Sequence, residues 1–327
     1  MIEVTTRIER WELIKPFATA RDCHTHVSVL VTQLTDNNGV QGWSEAMGVD
    51  YDGETPESIK AEVEALKPML HEQIGGDELL GLLPAGGARN ALDCALWDLR
   101  AKQSGRPVWQ LAGLAPPRPV MTVYTIGLAS EADFRCRLHE ARGFPSLKLK
   151  VDADHHLDLV RMTREIHPAA CILVDANQSW SRPLLERLLP ALAELGVALV
   201  EQPVRREEDA SLDGLRSPLP LAADESCTDR QSLRALAGRY QYINIKLDKC
   251  GGLTEALVMC GEARRLGLGL MVGNMCGSSL AMAPAFLVAQ SCAFTDLDGP
   301  LLQKLDRASP IRFESGWMQP PEAALWG

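Results

Sequence analysis

Short apolar runs recur along the second half of the chain. "VMTVYTI", "SLKLKV", "CILVDA", "VALVEQ", "LPLAADE", "YINIKLD", "LGLMVG" and "AFTDLD" follow one another from Val120 to Asp298, with helical stretches between them. Strand alternating with helix implies parallel strands joined by crossover helices. Eight such strands are the number that closes an α/β barrel of the (β/α)8 type. The first part of the chain has another rhythm. "HVSVLVTQLTDNNGVQGWSEA" reads as two strands around an Asn-Asn-Gly turn. "ESIKAEVEALKPML" and "ARNALDCALWDLRAKQSG" read as helices. In the second, Leu92, Ala95, Leu96 and Leu99 form one apolar stripe and Gly105 supplies the stop.

One stretch invites a different reading. From Leu266 to Thr295 there is no charged residue, and that length would cross a bilayer. "GNMCGSS" and Pro284 interrupt it, so a buried strand, a loop and a buried helix are expected, with no membrane partner. The net charge of −10 argues against a nucleic-acid partner, which wants a basic stripe. Nine scattered cysteines, odd in number and without a CxxC pair, suggest reduced thiols. "MIEVTTRIERWEL" alternates and carries charges, with no apolar signal-peptide core. A cytoplasmic location is expected.

The polar residues that end the runs fall at a regular period. Lys150, Asp175, Glu201, Asp224 and Lys246 are spaced by 25, 26, 23 and 22 residues, and Asp296 follows 50 residues later. Each step is one strand-helix unit and the last is two, so all of them reach the C-terminal mouth of one barrel, where barrel active sites lie. Asp175, Glu201 and Asp224 follow strands buried on both faces. Three carboxylates converging there repel one another and lose hydration. A divalent cation resolves this, and three monodentate oxygens with open positions suit magnesium. Any one acid is equally well explained as a helix cap or a local ion-pair partner; three together are not.

Lys148 and Lys150 lie two apart on one strand and share a face. Lys246 shares a face with Tyr242 and Asn244. A lysine pointing into a barrel needs work or a partner. For Lys246 taken alone, that partner is Asp224. Burial and neighbouring cations lower a lysine's pKa and make it a usable base. Lys150 and Lys246 flank the three acids, so a substrate carbon between them would lose a proton to one and regain it from the other. That describes proton abstraction beside a carboxylate, with the metal stabilising an enediolate. A Schiff-base lysine is the competing chemistry, but it needs no convergent acids.

"KLK" (Lys148–Lys150), "DAN" (Asp175–Asn177), "EQP" (Glu201–Pro203), "DES" (Asp224–Ser226) and "NIKLDKCGG" (Asn244–Gly252) resemble the enolase superfamily, muconate lactonizing enzyme subgroup. "LLPAGGARNALDCALWDL" resembles that subgroup's capping domain, so the likeness covers nearly the whole chain. The resemblance implies an N-terminal α+β capping domain (1–118), a modified (β/α)7β barrel (119–302) and a C-terminal segment (303–327) packing back on the cap. It implies an isomerase with one magnesium ion per subunit.

Asp296 and Asp298 in "FTDLDGP" look like the Asp-x-Asp signature of the dipeptide epimerases, above all the L-Ala-D/L-Glu type. Two carboxylates at the mouth would hold a dipeptide's ammonium by charge-assisted hydrogen bonds. An Asx turn before Gly299 and Pro300 is the plainer reading. By resemblance Lys150 and Lys246 are the acid/base pair and Lys148 assists at the substrate carboxylate. Arg21, in the loop "FATARDCHTH", would meet a glutamate side chain, and Thr125 would contact substrate. Two stretches depart from the subgroup pattern. No proline follows soon after Glu45, and Asn274 stands where a small residue is usual; both are expected to face the substrate's side chain. N-acylamino acid racemase or o-succinylbenzoate synthase is the alternative enzyme, and a catalytically silent binding barrel the non-enzyme one. A homo-oligomer is compatible with all of them.

Overall fold

The computed structural model describes residues 2–327. The eight runs become eight parallel strands that lie side by side in sequence order. They are Tyr124–Ile126, Ser146–Lys150, Cys171–Asp175, Val197–Glu201, Leu221–Ala223, Tyr242–Ile245, Gly269–Val272 and Phe294–Thr295, counted here as barrel strands one to eight. Strands eight and one meet through Val123 N, which donates to Thr295 O at 2.9 Å, and Leu297 N, which donates to Thr122 Oγ1 at 2.9 Å. The run "VMTVYTI" divides. Val120–Met121 pairs with Trp317–Met318 instead, and only Tyr124–Ile126 joins the barrel.

Strand periodicity sorts the side chains. On strand two Leu147 and Leu149 join the large cluster under the helices, so Lys148 and Lys150 face inward. On strands three and four Leu173 and Leu199 point in, so Asp175 and Glu201, two residues on, do so as well. Leu173, Leu199, Ala222, Met271 and Val123 plug the barrel floor, with Cys171, Tyr242 and Phe294 packed against them. The barrel is therefore apolar below and ionic above. Leu266–Thr295 is resolved as strand seven, a loop and the eleven-residue helix Ser279–Ala289, buried at every position but Ala281. Among the described residues no helix is long and apolar enough to cross a membrane.

The cap is a three-stranded antiparallel sheet, Glu3–Ala18, Cys23–Thr35 and Gln41–Ala46, with helices Pro56–Leu66 and Gly87–Ser104 against it. Leu92, Ala95, Leu96 and Leu99 meet Leu30, Leu34, Ile59 and Val63 in one apolar cluster, as the stripe requires. The first hairpin slips register between Glu12 and Phe17. Pro16 lies in that interval and has no N–H to give the ladder. The tip beyond it carries Thr19–Asp22, including Arg21, to the barrel mouth. The chain ends against the cap: Trp326 Nε1 donates to Cys94 O at 3.0 Å and Gly327 N to Asp98 Oδ1 at 2.7 Å.

Candidate active site

Asp175 and Glu201 end their strands and Asp224 lies one residue past strand five. All three are buried, and one oxygen from each falls within 4.8 Å of the others. Lysines surround them. Lys148 Nζ lies 3.1 Å from Asp175, 2.8 Å from Glu201 and 2.8 Å from Asp296. Lys150 Nζ donates to Asp175 Oδ2 at 2.6 Å, and Lys246 Nζ to Asp224 Oδ2 at 2.7 Å. The two outer lysines thus stand at opposite ends of the acid set.

Electrostatics decide the protonation of this group. Burial favours neutral Asp175, but Lys148 and Lys150 outweigh it and hold the carboxyl well below its usual range. Burial likewise opposes ionised Asp224, and Lys246, Lys249 and Lys148 overcome it. For Glu201 burial and the Asp175 charge win, pushing the carboxyl up to about 8. Burial lowers Lys246, yet Asp224, Glu201 and Glu225 together outweigh it and hold the lysine above its ordinary value. Sequence alone suggested a lowered lysine; the surrounding carboxylates set the opposite sign. Positive charge shared onto Asp224 weakens that hold and moves Lys246 back toward neutrality.

The donor set suits a hard cation. Three carboxylates offer oxygen ligands from three strands, and Glu201 Oε2 is buried without a hydrogen-bond partner, although it is ion-paired with Lys148. A pH-dependent prediction follows for the metal-free protein. The Glu201 carboxyl is raised from 4.5 to about 8, so its stabilising contribution is complete below 4.5 and disappears as pH rises through about 8. A cation at the triad needs ionised Glu201 and reverses that loss. Saturating magnesium is expected to raise the Tm by about 5 °C, and more at about pH 8.5 than at about pH 6.5. Thermal melts with magnesium and with chelator check this; an equal or smaller rise at the higher pH rules out Glu201 as the responsive ligand.

Above the acids an open cavity lies between cap and barrel. Lys150, Lys246, Asn177 and Cys276 line it from the barrel, and Phe17, Arg21, Met47 and Tyr51 from the cap. Arg21 stacks on the Tyr51 ring at 4.7 Å and pairs with the buried Glu225 carboxylate. Both stretches that depart from the subgroup pattern reach this cavity, through Met47, Asp50 and Tyr51 and through Asn274, Met275 and Cys276. Asn177, Gln178, Gln202 and Cys276 have left-handed backbones at φ 42°, 67°, 33° and 70°, all on loops at the barrel mouth.

The Asp-x-Asp pair is less open than its sequence suggests. Asp296 is 5 % exposed and Asp298 2 %. Asp296 meets Lys148, while Asp298 Oδ2 accepts from Thr125 N at 2.5 Å. Thr125 Oγ1 lies 3.4 Å from Asp296 Oδ1, so Thr125 ties both acids to strand one. Asp298 precedes the short helix Gly299–Leu302 without a side-chain cap bond, so an Asx turn is not what its carboxylate makes. Strand seven's loop is anchored from afar: Ser278 N donates to Glu45 Oε1 at 2.7 Å, and Arg307 binds both Ser278 and Glu45.

Several site residues escaped the sequence reading. Lys249 Nζ donates to Asp224 Oδ1 at 2.6 Å and to Asn244 O at 3.1 Å. Asn244 Nδ2 donates to Glu201 Oε1 at 2.9 Å. Both stood inside "NIKLDKCGG", and Lys249 lies three residues past Lys246, about one helical turn. Glu225 was visible in "DES", but nothing local tied it to Arg21.

Residues 1–113 match the family described as mandelate racemase / muconate lactonizing enzyme, N-terminal domain, and residues 131–324 match Enolase C-terminal domain-like. The chain belongs to the enolase superfamily. This superfamily member is 39 % identical over 310 residues to the L-Ala-D/L-Glu epimerase of Escherichia coli K12, covering 94 % of this chain and 96 % of that protein. It is also 39 % identical over 292 residues to the N-acetyl-D-glutamate racemase of a Pseudoalteromonas species, covering 88 % and 91 %. An enolase family member from Agrobacterium tumefaciens with homology to dipeptide epimerases, solved with sodium and L-Ala-L-Glu, superposes with a TM-score of 0.96 at 40 % identity. That match covers 100 % of both chains.

Proposed function

We propose that this chain is a magnesium-dependent dipeptide epimerase that inverts the α-carbon of the C-terminal residue of L-Ala-D/L-Glu or a similar dipeptide. One observation carries the reading: Lys150 and Lys246 line the same cavity from opposite ends of a convergent carboxylate triad. Asp175, Glu201 and Asp224 would hold the ion, whose charge stabilises an enediolate when bound. The lysines do the proton work. One removes the α-proton, the other delivers a proton to the opposite face, and their roles exchange for the other stereoisomer. Lys148, bonded to two of the triad, fits a role at the substrate carboxylate.

Asp296 and Asp298 are the proposed ammonium subsite, and Thr125 acts through them by holding both carboxylates. Arg21 is the proposed partner of an acidic side chain, through donors that Glu225 leaves free. For this reading the chain divides into a cap (1–118), a barrel (119–302) and a C-terminal segment (303–327) resting on the cap, which the Trp326 and Gly327 contacts support. Murein-peptide breakdown in the cytoplasm is the setting that suits such a substrate. The test is α-deuteration in heavy water with magnesium. Both L-Ala-D-Glu and L-Ala-L-Glu are expected to exchange and interconvert, with N-acetyl-glutamate turned over far more slowly. Turnover of the acylated amino acid alone makes the protein a racemase. Magnesium binding without any exchange across a dipeptide set leaves a silent binding barrel.

A further inference from the structure

The turn that follows Lys246 is gripped from outside the barrel. Lys246 begins the short helix Leu247–Cys250, and the chain leaves it through Gly251 and Gly252, left-handed at φ 78° and 109°. From the cap helix, Arg89 Nη2 donates to Cys250 O at 2.6 Å and Nε to Gly251 O at 3.3 Å. One helical turn on, Asp93 accepts from Thr254 Oγ1 at 2.6 Å and from Thr254 N at 2.9 Å. From the other side, Asp248 Oδ1 accepts from Gly48 N at 2.9 Å and Met47 N at 3.0 Å, past the third cap strand. A Cβ on Gly251 would run into the Arg89 guanidinium, and one on Gly252 into the Asp93 carboxylate. The glycine pair is what lets cap and turn meet.

Arg89, Asp93 and Asp248 are all buried, and none of them lines the substrate cavity. Their contacts converge on the segment that aims Lys246. The bonds that hold Lys150 have another origin. Lys150 pairs in register with Asp175 on the neighbouring barrel strand, its amino group donates to the same residue, and Val151 N donates to Asp175 O at 3.0 Å. Both bases are tied to a barrel carboxylate, Lys246 to Asp224 and Lys150 to Asp175, but only the turn that Lys246 begins is also held from the cap.

We infer that Arg89 and Asp93 are positioning residues for Lys246 and not for Lys150, so that the cap governs proton transfer on one face of the substrate carbon only. This rests on the two-lysine reading above. A shift of about 1 Å in a reacting group can cost about a hundredfold in rate. Loosening the grip should therefore slow one direction of deprotonation and spare the other.

The experiment measures α-deuteration of L-Ala-D-Glu and L-Ala-L-Glu separately, with magnesium, in wild type, Arg89→Lys and Thr254→Val. Arg89→Lys keeps the charge and loses the fork that reaches two carbonyls. Thr254→Val removes the hydroxyl's bond to Asp93 and the one it accepts from Trp97 Nε1, at similar volume, and it decides alone if Arg89→Lys fails to fold. Lys246→Ala identifies the stereoisomer that depends on Lys246. The expected result is a loss of exchange about 10- to 100-fold larger for that stereoisomer than for the other, with KM for both changed less than about threefold. Equal losses on both stereoisomers, a loss confined to the Lys150-dependent one, or no loss in either variant overturns the inference while the epimerase reading stands. A wild type that deuterates neither dipeptide overturns both.

Discussion

Lys150→Ala and Lys246→Ala are each expected to cut epimerisation of L-Ala-D/L-Glu by at least about 10³-fold, because the proposed mechanism needs one lysine to take the proton and the other to return it. The two variants should nevertheless differ. With one base left, the stereoisomer whose α-proton faces that base still exchanges with solvent, so each variant keeps deuteration of one isomer and loses the other. Proton NMR in heavy water reads both at once. Loss of exchange from both isomers in both variants would mean that the lysines act together, for instance on the carboxylate, and the two-face mechanism would be abandoned. The geometry also bears on folding. Lys150→Ala removes one of two lysines from Asp175, and Lys246→Ala leaves Asp224 with Lys249. Neither acid is stranded, so both variants should fold, and a circular dichroism spectrum checks that.

Asp224→Asn is the second large effect, and its two consequences can be separated. Asp224 is shared by a proposed ligand set and two buried ammonium groups, Lys246 at 2.7 Å and Lys249 at 2.6 Å. Removing its charge leaves both lysines facing a neutral amide. Breaking one partner of a buried ion pair costs about 3–5 kcal/mol, so the metal-free variant should unfold at clearly lower denaturant than wild type. Magnesium affinity should fall by at least about 100-fold, more than for the loss of an outer hydrogen-bond partner. Glu201→Gln makes the contrast. Its carboxyl is already pushed up to about 8 and so is mostly protonated at neutral pH; the amide changes little in charge and should leave the metal-free fold about as stable as wild type while magnesium affinity still collapses. Calorimetric titration with magnesium and urea melts measure the two quantities. Equal destabilisation by both substitutions would refute this division of labour within the triad.

The legibility of the site followed from strand geometry. Side chains alternate along a strand, and parallel strands begin each unit at the same end of the barrel. Lys148, Lys150, Asp175, Glu201, Asp224 and Lys246 could therefore be placed at one mouth from spacing alone, and the structure puts the acids within 4.8 Å of one another and each lysine within 3.1 Å of one of them. The charge-free stretch before Asp296 was likewise readable, because the loop at 273–278 breaks it into a strand and a helix, although Pro284, expected to interrupt it, sits inside that helix. What each group does to its neighbour was less legible. Lys246 was expected to titrate low, and Asp224 at 2.7 Å together with Glu201 and Glu225 reverses that. Asp296 and Asp298 were expected at the mouth as an ammonium subsite; that Lys148 and Thr125 bond to them was not legible in the sequence.

The sequence by itself determined the barrel, the order of its strands and the inventory of charges at its mouth. These depend on periods of two and of one strand-helix unit, which are local and repeat. Only the tertiary structure decided who pairs with whom across long separations: Arg21 with Glu225, Arg89 with the turn after Lys246, Glu45 with Ser278 and Arg307, Thr125 with Asp298. Those contacts have no period, because each joins segments that meet only after cap and barrel have packed, and burial then leaves each polar group dependent on the single partner within reach.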